Sequence, residues 1–217
     1  YLMRQEFLKR IISSFVLISI IIFFIIKGSI FLNLFILCCF LVSLYEWHMM
    51  KKNNIQYVIG IIFLLFSFYS VFRLTNFEVD YSYFVFILLI CISTDIGGYI
   101  FGKFFKGKKL TKISPNKTYA GMFGSFTLSV VFSYLFLELT TIFPYLKFNS
   151  INMLIFILLI SLTSQVGDIV ISYFKRKSKI KNTGNLIPGH GGLLDRIDGM
   201  IFAFPFGYLV LTFEILN

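Results

Sequence analysis

Seven long apolar runs divide the chain, and each is bounded by polar or basic residues. They cover residues 11–26, 30–45, 57–72, 83–101, 119–137, 151–174 and about 193–211. Continuous runs of this length are typical of membrane-spanning helices, whereas strands of a membrane barrel would alternate polar and apolar residues over about 10 positions. The pattern therefore predicts an all-α polytopic integral membrane protein, with about seven transmembrane helices of which some are broken or bent.

The composition agrees with this pattern, because 58% of the residues are hydrophobic and 14% are charged. That is too little polar sequence to cover a soluble globule of 217 residues. The formal net charge is +10, and the basic residues are concentrated between the apolar runs. This distribution favours membrane topology and binding of anionic lipid or phosphate over binding of nucleic acid.

The basic residues also predict an orientation in the membrane. If the amino terminus is cytoplasmic and each run crosses once, the lysine-rich loops at 102–118 and 175–192 both face the cytoplasm. A basic tail precedes the first run without a small-residue cleavage site after it, so we expect an uncleaved first span rather than a signal peptide. In this single membrane domain, residues 1–82 are expected to be scaffold and residues 83–217 the catalytic half.

Polar residues recur along one face of the sixth run, at intervals of three and four positions. The stripe consists of Ser161, Ser164, Gln165, Asp168, Ser172 and Lys175. For the serines we favour hydrogen bonds that pack helices together. For Asp168 we favour a function, because an unpaired carboxylate inside a membrane costs at least ~2.5 kcal/mol.

A glycine-rich loop and an acidic segment follow the second basic loop. Pro188 to Gly192 spell PGHGG, whose backbone amides can approach an anion closely, just before a helix with an electropositive start. Asp195 and Asp198 then share a helix face beside Arg196. Together with Asp168 they favour a hard divalent cation of the magnesium type, whereas alone they would indicate a helix cap with a local ion pair.

Two further positions leave more than one role open. His190 is a general base, a phosphate donor or a residue that orders its loop, and its glycine-rich setting favours the last two. Lys117 lies in SPNKTYAG between Ser114 and Thr118. It is either a phosphate clamp or a lysine that extends to the membrane interface, and the spacing favours neither.

These motifs resemble the phosphatidate cytidylyltransferases, also called CDP-diacylglycerol synthases. The family signature corresponds here to Ser172, Lys175, Arg176, Lys181, Pro188 to Gly192, Asp195, Arg196 and Asp198. SPNKTYAG and the region from Ser93 are similar to further family motifs. Asn182 stands where the family usually has Asp, which removes a carboxylate from the loop, although asparagine can still cap a turn.

The resemblance implies transfer of a cytidylyl group from CTP to phosphatidate, giving CDP-diacylglycerol and pyrophosphate for phospholipid biosynthesis. Our hypothesis is that Asp168 and Asp195 hold Mg²⁺ with help from Asp198, and a second cation is compatible with the site. The residues expected to neutralise phosphates are Lys117, Lys175 and Arg176. The residues expected to bind substrate are Ser114, Lys117, Thr118, Ser172, Gly189, His190, Gly191, Gly192 and Arg196.

The implied partners are CTP, phosphatidate and membrane lipids, without nucleic acid, and a homodimer stays open. The expected location is a bacterial-type inner membrane with the site on its cytoplasmic side. Two alternatives remain. A CTP-dependent kinase of lipid alcohols would need a base for its hydroxyl substrate. A transporter with an intramembrane carboxylate relay is suggested by Asp95, Asp168 and the Gly/Pro-interrupted runs.

Overall fold

Helices account for all the long elements of this computed structural model, which describes residues 2–50, 53–76, 82–111, 113–139, 150–189 and 191–216. In chain order they are α1 Leu2–Lys27, α2 Ser29–Met49, α3 Asn54–Thr75, α4 Ser82–Phe105, α5 Tyr119–Leu139, α6 Ser150–Lys177, α7 Leu194–Ile197 and α8 Met200–Thr212. Within the described ranges, the only β-type pairing consists of two isolated bridges in loops. The all-α prediction is confirmed.

Five helices in the described part of the chain are long and apolar enough to cross a membrane: α2 from Ile30, α3, α4, α5 to Glu138, and α6. The seventh apolar run does not form one long helix. It is split into α7 and α8 at Asp198 and Gly199, and α8 has 13 residues with Pro205 inside it. Thirteen residues rise about 20 Å, less than the ~30 Å of a bilayer core. The chain is a multi-pass membrane protein whose last apolar segment is broken.

The chain divides into two compact units, of which the first contains residues 1–68 and 175–197. In this unit α1 packs against α2, and Phe24 stacks on Phe35 with ring centroids 4.7 Å apart. The Trp47 ring covers Gly60 of α3 so closely that a Cβ there would collide with it. Trp47 Nε1 also donates a hydrogen bond to the Tyr57 carbonyl at 3.2 Å. These contacts fix the last turns of α2.

The second unit contains residues 69–174 and 198–217. Its α4 and α5 approach until their backbones touch, because a Cβ at Gly97 would collide with the carbonyl of Gly124. Ser125 Oγ donates to the Thr94 carbonyl at 2.8 Å, and Thr94 Oγ1 donates to Ser161 Oγ of α6 at 2.8 Å. Small residues and hydroxyl bonds are the usual means of helix packing in membranes, where apolar burial alone gives little preference.

Candidate active site

The loop before α5 is folded back on itself and carries Lys117 at its end. The Leu110 amide donates to the Lys117 carbonyl at 2.7 Å, and the Tyr119 amide donates to the Lys108 carbonyl at 3.1 Å. Thr118 Oγ1 accepts a hydrogen bond from the Gly121 amide at 3.1 Å, which caps the start of α5. The Thr118 hydroxyl, predicted to bind substrate, therefore already has a structural partner.

Lys117 and Asp168 form the first of two lysine–carboxylate pairs. Lys117 Nζ lies 2.6 Å from Asp168 Oδ2 and 3.4 Å from the Gln165 carbonyl. Ser172 Oγ donates to Asp168 Oδ1 at 3.3 Å. The two charged side chains are 22% and 31% exposed, so the pair remains within reach of solvent and of a bound phosphate. Lys117, for which the sequence left two roles open, thus contacts the acidic residue of α6.

The polar stripe on α6 faces the interior of the second unit as its spacing predicted. Ser161, Ser164 and Ser172 are all buried. Ser161 Oγ accepts from Thr94 and, at 3.4 Å, from Gln165 Nε2. Ser161 therefore packs α6 against α4, and Asp168 is a partly exposed member of the stripe between the buried Ser164 and Ser172.

Asp195 and Lys175 form the second pair, inside the first unit. Lys175 Nζ donates to Asp195 Oδ1 at 2.8 Å, and these side chains are 9% and 5% exposed. Asp195 Oδ2 accepts from the Thr183 amide at 2.8 Å and from the Gly192 amide at 3.0 Å. One carboxylate therefore joins the end of α6 to two places in the loop that follows it.

The PGHGG loop is a tight turn closed by a two-way backbone pairing. The Ile187 amide donates to the Gly191 carbonyl at 2.8 Å, and the Gly191 amide donates back at 3.1 Å. Gly191 has a φ of +94°, and a Cβ there would lie 2.6 Å from Asp195 Oδ2. Glycine is required at this position for both reasons. His190 lies outside the described residues.

Glu46 of α2 completes this region, and it was not predicted from the sequence. Its Oε1 accepts from the Leu193 amide at 2.8 Å, and its Oε2 accepts from the Leu194 amide at 2.8 Å and from Thr183 Oγ1 at 2.7 Å. Two of the amides predicted to approach an anion are thus already bound within the protein: the Gly191 amide donates to the Ile187 carbonyl and the Gly192 amide to Asp195. A carboxylate directly after an apolar run was the signal that could have identified Glu46.

Four further predicted residues are Arg176, Arg196, Asp198 and Ser114. Arg176 is exposed, and its Nη1 donates to the Ile180 carbonyl at 3.2 Å. Arg196 is also exposed. Asp198 Oδ1 accepts from the Gly199 amide at 3.0 Å, and Ser114 contributes its carbonyl to the turn that ends at Lys117. These positions leave the two arginines as accessible cations.

The donor set can be tested against a magnesium ion. Among the residues that the structure describes, no three His, Cys, Asp or Glu side chains are grouped to hold a metal. Asp168 suits a hard cation better than Asp195, since it is 31% exposed and its Oδ1 carries one long hydrogen bond, although its Oδ2 is paired with Lys117 at 2.6 Å. Asp195 has the right oxygen atoms, but a cation there would have to displace the Lys175 ammonium. The predicted ligand set of Asp168, Asp195 and Asp198 stays a prediction.

Comparison with known proteins identifies the family. Residues 52–214 match the model of the cytidylyltransferase family. A phosphatidate cytidylyltransferase of Rickettsia typhi is 36% identical over 215 residues, which cover 93% of this chain and 90% of that protein. The enzyme of the same name from Bacillus subtilis is 38% identical over 133 residues, covering 60% of this chain and 48% of that protein. The resemblance in the sequence motifs is confirmed, and the chain belongs to the cytidylyltransferase family.

Proposed function

We propose that this chain transfers the cytidylyl group of CTP to phosphatidate, which gives CDP-diacylglycerol and pyrophosphate. It is a nucleotidyltransferase of phospholipid biosynthesis embedded in a membrane. The observation that carries the proposal is that candidate residues identified in the sequence form two lysine–carboxylate pairs, Lys117 with Asp168 and Lys175 with Asp195. Acidic and basic side chains in this arrangement suit a reaction between two phosphate compounds.

The reaction is a single in-line displacement. A phosphate oxygen of phosphatidate forms a bond to the α-phosphorus of CTP, while the bond from that phosphorus to the oxygen bridging the β-phosphate breaks. Pyrophosphate leaves with the electron pair. A phosphate monoester with a second pKa near 6 is largely ionised at neutral pH, so no strong general base is needed. The protein must align two anions and neutralise their charge.

Lys117 is suited to contact a substrate phosphate. It is half-buried and flexible, and it faces a single carboxylate across 2.6 Å. An incoming phosphate offers the ammonium a more highly charged partner than Asp168. Moving toward that phosphate would also leave Asp168 Oδ2 to a divalent cation. Arg176 and Arg196, both exposed, are further cations for the triphosphate.

Lys175 is suited to a different role. Its side chain is 9% exposed and its ammonium is bonded to Asp195, whose other oxygen accepts from two loop amides. These contacts support a lysine that holds Asp195 and the glycine loop in place. From the sequence, Gly189 and His190 of this loop and Ser172 of α6 are proposed as substrate contacts.

For Mg²⁺ we propose Asp168 as the ligand, because its side chain is 31% exposed. The further ligands Asp195 and Asp198 stay predictions from the sequence. A magnesium ion held at Asp168 would supply charge neutralisation to the phosphates. The site is placed on the cytoplasmic side, where CTP enters from water and phosphatidate enters laterally from the bilayer. The lysine-rich loops support this side by the positive-inside rule.

The test is release of pyrophosphate by the purified protein in detergent. CTP and phosphatidate are supplied together and separately, with Mg²⁺ and after chelation by EDTA. We expect release only when both substrates and Mg²⁺ are present, with one CDP-diacylglycerol formed per pyrophosphate. Asp168→Asn should reduce the rate at least about 100-fold, as for loss of a preorganised charged group.

Product identity separates the alternatives. A lipid-alcohol kinase would release CDP instead of pyrophosphate and would use diacylglycerol in place of phosphatidate. A transporter would move solute without consuming CTP. Either result, or no turnover by protein that elutes as a single folded species, would overturn the proposed reaction.

A further inference from the structure

Glu46 is a buried carboxylate near the end of α2, far in sequence from every motif of the reaction. It is 4% exposed, and both of its oxygens are hydrogen bonded. Its three donors are the amides of Leu193 and Leu194 and the hydroxyl of Thr183, at 2.7–2.8 Å. Hydrogen bonds to an ionised acceptor at these distances are among the stronger ones in proteins.

Glu46 and Asp195 bind the same short segment from two directions. Thr183 donates its amide to Asp195 and its hydroxyl to Glu46. Gly192 donates to Asp195, and the next two amides donate to Glu46. Together the two carboxylates fix the backbone on both sides of the PGHGG loop.

Two glycines allow the backbone to come this close to Glu46. A Cβ at Gly192 would collide with Glu46 Oε2 and with Thr183 Oγ1. A Cβ at Gly184 would lie 3.0 Å from Glu46 Oε1. The space around the carboxylate is therefore shaped by the loop sequence itself, which is what a specific positioning contact requires.

We propose that Glu46 is a positioning residue for CTP: it holds the segment 183–194 so that the glycine loop and Asp195 keep the geometry needed for the nucleotide. This inference rests on the proposed function. It assigns a role in the reaction to the part of the chain that the sequence indicated was scaffold. Glu46 does not contact substrate in this proposal and acts only through the loop.

Glu46→Gln is the informative variant, because it conserves size. A glutamine has only one acceptor oxygen. If that oxygen keeps the bonds from Leu194 and Thr183, the glutamine NH₂ group faces the Leu193 amide. Both of these groups are donors, so the third hydrogen bond is lost. We expect the KM for CTP to rise about tenfold, since a charge-assisted bond is worth about one decade or more in affinity. The KM for phosphatidate should change less than about twofold.

Ser43→Ala is the matched control. Ser43 is fully buried one turn earlier on α2, and its hydroxyl donates to the Cys39 carbonyl within the same helix. This variant loses a buried polar contact of α2 without touching the loop. Both KM values should match those of the unmodified protein.

Thr183→Val gives a second route if Glu46 variants fold poorly. It removes the hydroxyl bond to Glu46 and keeps the amide that donates to Asp195. The rise in KM for CTP should be smaller than for Glu46→Gln. In the double variant Glu46→Gln/Thr183→Val, the KM for CTP should rise by less than the product of the two single increases, because both substitutions remove the same contact.

Hydrogen exchange separates this inference from the reaction itself. Glu46→Gln should speed amide exchange in 183–194 and leave α5 unchanged, whether or not turnover is seen. An unaltered KM for CTP together with unaltered exchange would overturn the inference. An equal change in the KM values for CTP and phosphatidate, or faster amide exchange throughout the protein, would overturn it too, because Glu46 would then contribute only to the overall stability of the fold. Absence of turnover with local exchange effects would count against the proposed function alone.

Discussion

The two lysine–carboxylate pairs differ in burial, and this difference predicts different results for the same substitution. Lys175→Met keeps the length of the side chain and removes the charge that faces Asp195. The pair is buried at 9% and 5% exposure, with 2.8 Å between Nζ and Oδ1. Asp195 would keep only the two amide donors on its other oxygen. A buried carboxylate would then lack its counter-charge.

The expected size of the effect follows from that burial. Removing one partner of a buried pair costs about 3–5 kcal/mol, because the remaining charge stays desolvated. The Lys117–Asp168 pair is 22% and 31% exposed, so Lys117→Met should cost about 1 kcal/mol or less. For a protein of this size 1 kcal/mol is about 2–4 °C in melting temperature. We therefore expect the Lys175 variant to melt at least about 4 °C below the Lys117 variant.

The assay is thermal unfolding in detergent at one scan rate, since membrane proteins often unfold irreversibly. Trp47 is the only tryptophan in the sequence and is buried in the first unit beside Glu46, so its fluorescence reports on that region. Pyrophosphate release is measured in parallel. Lys117→Met should lose at least about 100-fold in activity while its melting temperature changes little.

Two outcomes would refute this reasoning. One is an equal drop in melting temperature for Lys117→Met and Lys175→Met, which would mean that burial of the pair does not decide how much stability is lost. The other concerns Lys175→Met combined with Asp195→Asn, which removes both charges of the buried pair. This double variant should melt above Lys175→Met alone, and failure to do so would show that the unpaired charge is not the cause.

Three further substitutions, one of them with a matched control, test local features. Gly191→Ala should raise the KM for CTP at least about tenfold, because the added Cβ would meet the Asp195 carboxylate at a φ of +94°. Its control is Gly107→Ala, at a φ of +95° but without a close neighbour. This control should lose only ~1 kcal/mol of stability and leave the KM for CTP unchanged. Gly97→Ala should lower the melting temperature by several degrees, since its Cβ would collide with the Gly124 carbonyl, about 1–3 kcal/mol of overpacking. Thr94→Val removes one hydroxyl bond to α6 and should cost ~0.6 kcal/mol by the same thermal assay, with turnover retained.

The helices were predictable because membrane crossing demands long apolar runs, which the sequence displays directly. The stripe on α6 was predictable because the helical period alone places its members on one face. The break between α7 and α8 was harder to predict. It falls at Asp198 and Gly199, polar and flexible residues that a hydropathy pattern treats as a short interruption.

The partners of the charged residues were not predictable in the same way. The helical period places Asp168 and Lys175 on one face of α6, whereas the structure pairs Asp168 with Lys117 and pairs Lys175 with Asp195. Glu46 reaches its loop partners across 137 to 148 positions of sequence. Periodicity carries information over a few helical turns, and contacts at such separations depend on how the helices pack.

The glycine loop shows what this limit means for functional inference. Its composition predicted amide donors available to a substrate anion, with an acidic segment beside them. In the structure the amides from Gly192 to Leu194 bind Asp195 and Glu46 instead. The sequence shows which backbone amides are available as donors, but the tertiary structure determines which groups accept their hydrogen bonds. The loop is thus held by the protein's own carboxylates, whereas the Lys117–Asp168 pair, at 22% and 31% exposure, remains accessible.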